Sequence, residues 1–595
     1  MEPVRESKQI ALLAVVVTVL ACSTYLLFSA VQITGDLWAD HYNVHLTTDG
    51  RLTETFLYHV QNDHQYRMLY RYWDADVVFN GQLTTPYLQV TNVESPYTSY
   101  IKNYQGSVWL QMPNSQYESF IRDKAFDNEI GCYNPAYFTA GTYNLTITYQ
   151  IAPPVETDGQ YYHLNLQLAR EHVPYKQIHI TIDDPSNTIV TLYTHPSLTI
   201  TKTASSYVIT GESASNTLLE IEFVSTDIHY GFPSQVGQVL QKTTSANNDY
   251  SLKTSILLSL NNILLVLTLG FAGILLLLYA WRGREPSVVV PEFLSTVPKK
   301  RKPWLVNLVF NKSAVDFNDD GFYATLLDLH QRKVITLTEG YQGAFLIRLH
   351  DTNEPLDEYE ARLVEFLKHW ADGDTFYVKN FEVKIKELKY NYSTLSEVNK
   401  EMTYLLKKAD RATADEFIIS GRKIPAIFTG IGALCFFISL FLFLSFGSVY
   451  TMLSTTVLSF FIFTLQSAII TIPTPTLLGR WKQEYYKEKL EWDAFRRFLS
   501  DMAHLEKYSV EDFSMWKEWL TYGTALGVGK KVAHAIEKFH IPSVPEATMV
   551  PIMMVGFHHA HTTVMTSAGG GGHGGGHGGG FGGGGGFGGG GGGGR

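Results

Sequence analysis

Cysteine is scarce: three residues in a chain of 595. Cys22 and Cys435 fall in apolar runs and Cys132 stands alone in the polar stretch between Thr34 and Ser255. No disulfide framework can be built there, so that region must hold by its own packing, and single structural thiols are the expected reading. Catalytic signatures are missing too. There is no Gly-x-Ser-x-Gly elbow, no His-Glu-x-x-His and no paired-cysteine metal box. Gly523 to Lys530 imitates a phosphate loop, but its spacing is one residue too long and Lys531 stands where Ser or Thr would hold magnesium. Asp316 to Gly321 opens like a calcium loop, yet Leu327 occupies the place of the closing glutamate. These gaps weigh against motif-bearing enzyme classes and leave binding, scaffolding or signalling as the expected role.

Charge is absent from three long apolar stretches, and those absences organise the chain. Ile10–Val31, the run between Lys253 and Arg282, and Ile424–Gly479 carry no Asp, Glu, Lys or Arg. A bilayer core takes about 20 apolar residues in helical form. The last stretch holds enough for two spans, broken near Gly447-Ser448. Basic residues gather at one side of each run: Arg5 and Lys8, then Arg282 and Arg284, then Arg422, Lys423, Arg480 and Lys482. Cytoplasmic ends collect Lys and Arg. Residues 34–253 are therefore expected outside and the C-terminus inside, in a cell membrane. The first run is either a signal anchor or a signal peptide. Neither span of the 424–479 hairpin carries an ionisable residue, which disfavours transport and proton relay.

The expected divisions are 1–33 (signal anchor or peptide), 34–253 (outer domain), 254–281 (span), 282–423 (inner α+β domain), 424–446 and 449–472 (spans), 473–545 (inner helical domain) and 546–595 (tail). The whole is a multi-domain α+β membrane protein. Residues Gln32–Ser255 hold 22 Asp/Glu and 11 Lys/Arg, a net of −11, so the remainder carries +1 of the total −10. An acidic outer module argues against nucleic acid as a partner.

Within that module the period is two. Val44 and Leu46 alternate up to Asp49-Gly50; Leu52, Glu54, Phe56, Tyr58 and Val60 alternate away from it, a hairpin signal. Similar runs at Tyr143–Tyr149, Tyr162–Leu168, Ile178–Ile182 and Leu219–Phe223 predict an antiparallel β-sandwich. Arg67, Tyr70, Arg71 and Trp73 form its candidate ligand site, since guanidinium forks and aromatic faces suit an anionic or sugar-like ligand. The plainer reading is an edge strand whose arginines lie over aromatic neighbours. An enzyme with an unrecognised site, using Asp74, Asp76 or Arg71, is the alternative.

Inside, Lys299, Lys300, Arg301 and Lys302 are expected at the membrane surface, attracted to anionic headgroups. Asp319 or Asp320 is expected to cap a helix leading to a small hairpin and a second helix ending at Trp370, a winged-helix-like unit. Trp481–Leu505 and the segments after Ser509 show helical aromatic spacing, read as core. The tail is glycine broken by His573, His577, Phe581 and Phe587, expected to be disordered. No resident cofactor is expected. His558, His559, His561, His573 and His577, five histidines within twenty residues, are the candidate labile Zn or Ni ligands.

Several segments together carry a family resemblance: Leu477-Leu478-Gly479-Arg480-Trp481, Trp492 to Leu499, Trp516-x-x-Trp519-Leu520-x-Tyr522, Ala525 to Val528, Ala324 to Leu329, and the Asp49-Gly50-x-Leu52-x-Glu54 hairpin with Tyr70-Arg71. The chain resembles the YciQ-like predicted membrane proteins (DUF2207), a prokaryotic family of unknown function. The resemblance implies an envelope membrane protein with an outer β domain and carries over no activity or catalytic residues. The expected partners are the lipid bilayer and an unidentified protein or cell-surface polymer.

Overall fold

The computed structural model describes residues 2–33, 35–312, 314–339, 345–387, 392–409, 411–482, 484–501, 513–539, 541, 544, 546–554, 557 and 587–595. They divide into two compact units: one joins 18–270, 430–465 and 578–595, the other 1–17, 271–429 and 466–577.

In the first unit the Asp49-Gly50 hairpin forms as its alternation predicts. β1 (Leu37–Leu46) and β2 (Arg51–Val60) pair antiparallel, with Leu46 opposite Leu52, and Gly50 supplies a φ of +78°. β3 (Met68–Tyr72), β4 (Asp76–Val78), β5 (Tyr87–Glu94), β6 (Thr98–Lys102) and β7 (Val108–Leu110) follow. A short helix, Ser115–Lys124, capped by the Asn114 side chain, and β8 (Glu129–Tyr133) come next. β9 (Gly141–Ala152), β10 (Pro154–Thr157), β11 (Tyr162–Ala169), β12 (Tyr175–Asp183), β13 (Ile189–His195), β14 (Thr199–Lys202), β15 (Ser206–Ser213), β16 (Leu219–Ser225) and β17 (Phe232–Gln235) complete the run.

One sheet runs β14-β15-β12-β1-β2-β9-β5-β4 and a second β13-β16-β11-β10-β17. Phe56, Ile147 and Ile180 of the first share one core with Leu164, Ile221 and Phe223 of the second. The expectation of a purely antiparallel fold needs correction. β1 runs parallel to β12, β4 to β5 and β10 to β17. The register shows why β12 belongs beside β1. Tyr42, Val44 and Leu46 lie opposite Ile178, Ile180 and Ile182, so one continuous buried face results.

Among the described residues, four helices are long and apolar enough to cross a membrane: Glu6–Ser29, Val239–Leu269, Lys423–Phe446 and Leu453–Ile470. They leave large side chains such as Leu26, Val266 and Leu444 exposed along their length. Polar pins join them: Tyr25 Oη lies 2.8 Å from Ser459 Oγ and 3.1 Å from Thr268 Oγ1, and Asn261 donates to Thr455 Oγ1 at 2.8 Å. The helix expected from residue 254 begins earlier, at Val239. Its polar first turns are buried at Val239, Thr243 and Asn247, so packing rather than apolarity sets that start.

In the second unit the helix Asp319–Gln331 is capped by Asn318, which accepts from Asp320 N, and not by either aspartate. Asp319 and Asp320 instead supply first-turn negative charge. β18 (Ile335–Glu339), β19 (Phe345–Leu349) and β20 (Thr375–Tyr377) make an antiparallel sheet beside the helix Glu358–Trp370, whose start is a reciprocal Asp357/Glu360 capping box. β21 (Ile418–Ile419) pairs with β22 (Arg480–Trp481). Trp492, Trp516 and Trp519 are fully buried, as the helical aromatic spacing predicts. Residues 502–512, where the segment after Ser509 begins, lie outside the described residues.

The tail departs from expectation in two places. Residues 546–554 are helical, and Val550, Met553 and Phe557 enter the hydrophobic core, because their spacing forms an apolar stripe ahead of the glycines. The closing residues are ordered as well: β23 (Phe587–Gly588) lies parallel to β11, and β24 (Gly591–Gly594) lies antiparallel to β3. A third sheet therefore runs β24-β3-β8-β6-β7.

Candidate functional site

The site grows from one charged residue at an apolar position. On β2, Leu52, Glu54, Phe56 and Tyr58 share the buried face, so a carboxylate sits among apolar positions. Burying it alone would be prohibitive. Arg71, the inward residue of β3, answers it, with Nε 3.3 and 3.2 Å from the two Glu54 oxygens. Both side chains are fully enclosed. Tyr42 donates to Glu54 Oε1, and Tyr149 donates to Oε2 at 3.1 Å. Burial acts most strongly and against the Arg71 charge, but the Glu54 carboxylate together with Tyr42, Tyr149 and Tyr175 outweighs it and holds the guanidinium pKa above its ordinary value. The indole of Trp73 lies 3.6 Å from the Arg71 guanidinium carbon, a cation–π contact.

Arg71 does more than neutralise Glu54. Its Nη2 donates to Leu168 O and its Nη1 to Tyr72 O and, at 3.1 Å, to Gly589 O of the tail. Around that contact the tail is held almost wholly by main-chain bonds. Asp74 N donates to Gly588 O at 2.9 Å, Gly589 N to Gln167 O at 3.0 Å, and Arg170 N to Gly590 O at 2.7 Å. Gly590 N donates to the Asp74 carboxylate at 2.9 Å. Val173 N donates to Gly592 O at 3.0 Å, while Arg67 N and Met68 N donate to Arg595 O at 2.6 and 2.9 Å.

Only glycine fits here. At Gly590, with φ +75°, an added Cβ would stand 2.2 Å from Tyr72 O; at Gly591 it would stand 1.4 Å from Glu171 O. The strand ends at Arg595, whose guanidinium donates to Lys124 O and, at 2.7 Å, to Glu129 Oε2. The same guanidinium lies between Tyr70 and Phe126, 4.3 and 4.2 Å from their ring centres.

Glu129 is the titratable element. Burial pushes its carboxyl up to about 7, against the pull of Arg595 and hydrogen bonds from Tyr100 (2.5 Å) and Phe126 N (3.0 Å). Because Arg595 lowers this pKa, its departure with the rest of the wall in place would raise it further. Tail binding therefore expels a proton, is strongest above the free-state pKa, and weakens as pH falls to about 7 and below. Hydrogen exchange of the Arg67 and Met68 amides between pH 8.5 and 6, corrected for intrinsic rates, should show this loss, and Glu129→Gln should flatten it.

All four residues of the predicted ligand site meet the tail. Arg71 and Trp73 contact it through their side chains, Tyr70 through its ring and register, and Arg67 through its amide; the Arg67 guanidinium lies over Tyr137, 4.2 Å away. Glu54 and Glu129 were missed. The usable signal for Glu54 was its place in the apolar phase of β2. Asp76 lies on β4. Cys132 is a buried thiol with its pKa pushed up to about 12 by burial.

The basic run pairs within its own unit: Lys300 with Glu518 at 3.3 Å, Arg301 with both Glu488 oxygens, and Lys302 with Glu360 at 2.9 Å. For Arg301 and Lys302 these ion pairs account for the charge without headgroups. Lys299 is exposed. His558, His559, His561, His573 and His577 lie outside the described residues.

Comparison with solved structures returns the M1 zinc metallopeptidase from Deinococcus radiodurans, at 12% identity and a TM-score of 0.18, covering 32% of this chain and 42% of the peptidase. A mutant of that enzyme bound to a Tyr-ser-ala substrate matches at 10% identity with the same TM-score and coverages. The chain thus spans less than half of the peptidase's length, and a likeness this slight carries no inference. No curated protein matches. Family models do: residues 40–225 match the N-terminal domain, and 290–536 the C-terminal domain, of the predicted membrane protein DUF2207. With most of its length covered by these two domains, the chain belongs to the DUF2207 family of predicted membrane proteins.

Proposed function

We propose that this membrane protein is a binding protein whose outer β domain accepts an extended glycine strand followed by an arginine, and that its own tail is the ligand. The observation that carries the reading is the fit at Gly590 and Gly591, where neighbouring carbonyl oxygens leave no volume for a side chain. Main-chain bonds from β3 and from Arg170 and Val173 supply strand addition, and the Arg595 pocket supplies selectivity. The site holds a peptide from end to end and aligns no nucleophile with a base, so binding accounts for it better than catalysis.

The reading bears on topology. An even number of spans puts both termini on one side and residues 34–253 on the other. A tail on β3 requires Phe587–Arg595 to share a side with β3. The pairing requires an even number of crossings between β3 and Phe587, one more or one fewer than the three apolar helices described between them.

The test uses the full chain and a version ending at Ala568. The truncated chain should bind the peptide FGGGGGGGR, and replacing its arginine by alanine should weaken binding roughly 10–100-fold, the worth of a charge-assisted hydrogen bond. In intact cells, with the native cysteines replaced, Gly570→Cys and Gln82→Cys should react with a membrane-impermeant thiol reagent from the same side. Labelling from opposite sides would refute the self-ligand, and absence of peptide binding would refute the receptor itself.

A further inference from the structure

The second sheet carries a polar face that is not solvated. His163 and Asn165 on β11, Glu220 and Glu222 on β16, and His195 on β13 are cross-strand neighbours there, with Asn165 opposite Glu222 and His195 opposite Glu220. The helix beginning at Val239 contributes to their burial. Asn247 donates to Glu222 Oε2 at 2.7 Å, and the Tyr250 ring meets the His195 ring edge-on at 4.2 Å. Glu220, Glu222 and His195 are 7%, 8% and 8% exposed.

Two carboxylates side by side in so dry a place call for positive charge. His163, 2.8 Å from Glu222 Oε1, is shared with Glu156 at 3.0 Å on its other nitrogen. His195 is held loosely. One of its nitrogens is 3.5 Å from Glu222 Oε2, and Nδ1 is buried with no hydrogen-bond partner among the described residues. One ligand atom each from His195, Glu220 and Glu222 lies within 4.8 Å of the others.

We propose that His195, Glu220 and Glu222 bind a divalent transition-metal ion of the Zn²⁺ class. One imidazole and two carboxylates suit Zn²⁺, with water completing a tetrahedral set. Metal–ligand bonds of about 2.0–2.2 Å place tetrahedral ligand atoms about 3.3–3.6 Å apart, so closure takes side-chain rotations that draw these atoms together by up to about 1.5 Å. His163 would orient Glu222 as a positioning residue. The ion would neutralise the paired carboxylates and fasten the first turns of the helix onto the sheet through Asn247.

The test is a ZnCl₂ titration of the chelator-stripped full chain, followed by metal analysis after desalting. His558, His559, His561, His573 and His577 are replaced by alanine so that weak tail binding does not obscure the count. One tight equivalent is expected, lost in His195→Ala and in the near-isosteric Glu220→Gln, and weakened roughly 10–100-fold in His163→Ala. Hydrogen exchange supplies a second readout. Zn²⁺ should slow the amides of residues 243–250 in the parent and leave them unchanged in Glu220→Gln. Absence of a tight equivalent, or one that survives both ligand replacements, overturns the site. An equivalent lost only in variants whose β-sheet amides also lose protection without metal overturns it too, because the loss is then unfolding.

Discussion

Glu54→Leu should destabilise the β domain by about 3–5 kcal/mol, because it leaves the Arg71 guanidinium enclosed without its carboxylate. Arg71 cannot escape by losing its proton, because a guanidinium stays protonated throughout the ordinary pH range. Tyr42 and Tyr149 lose their acceptor in the same step. That sum is a large fraction of the 5–15 kcal/mol typical of a domain. Two compact units need not unfold together, so a single melting temperature would blur the effect. Hydrogen exchange resolves it: the amides of β2 and β3 should exchange on the order of 100-fold faster or more, while those of the Asp319–Gln331 helix stay unchanged. Adding Arg71→Met to Glu54→Leu should recover most of the stability, because an apolar pair of similar volume needs no partner. A double variant as unstable as the single one would mean that Arg71 serves chiefly through its bonds to Tyr72 O, Leu168 O and Gly589 O.

The second large effect is expected from a single methyl group. Gly591→Ala places Cβ 1.4 Å from Glu171 O, a main-chain atom that cannot swing aside. The strand must leave the groove or drag its wall with it. The amides that donate to the tail, Arg67, Met68, Asp74, Arg170 and Val173, should all lose protection together. Gly593→Ala is the matched control. There the nearest atom is the Tyr70 hydroxyl at 3.2 Å, the movable end of a side chain, and protection should stay close to that of the parent. Equal responses at the two positions would show that the groove does not select glycine by volume.

How far the sequence foretells this site differs by element. Apolar runs announce the helices that can span a membrane, and alternation around Asp49-Gly50 announces β1 and β2 down to their turn. Arg67, Tyr70, Arg71 and Trp73 drew notice by residue type alone, and the structure brings them together because they occupy one strand and its end. What they contact was hidden. A glycine strand has no side-chain period to detect, and its partner lies some five hundred residues away in the chain (Arg71 to Gly589 is 518). The parallel pairing of β1 with β12 was equally hidden, since alternation says which face is buried and nothing about the neighbour. Glu129 showed no anomaly at all in its local sequence. Its burial arises from tertiary packing and from the arginine that meets it.

The helix Val239–Leu269 has one more implication. It contains neither glycine nor proline, the usual sources of a kink, and its 31 residues run about 46 Å without a joint. Its first turns are gripped by the strands through Asn247, and its later turns are apolar enough for lipid. Such a rod behaves as a crankshaft: any twist imposed at the gripped end reappears as rotation at the other, where Asn261 and Thr268 engage the neighbouring spans.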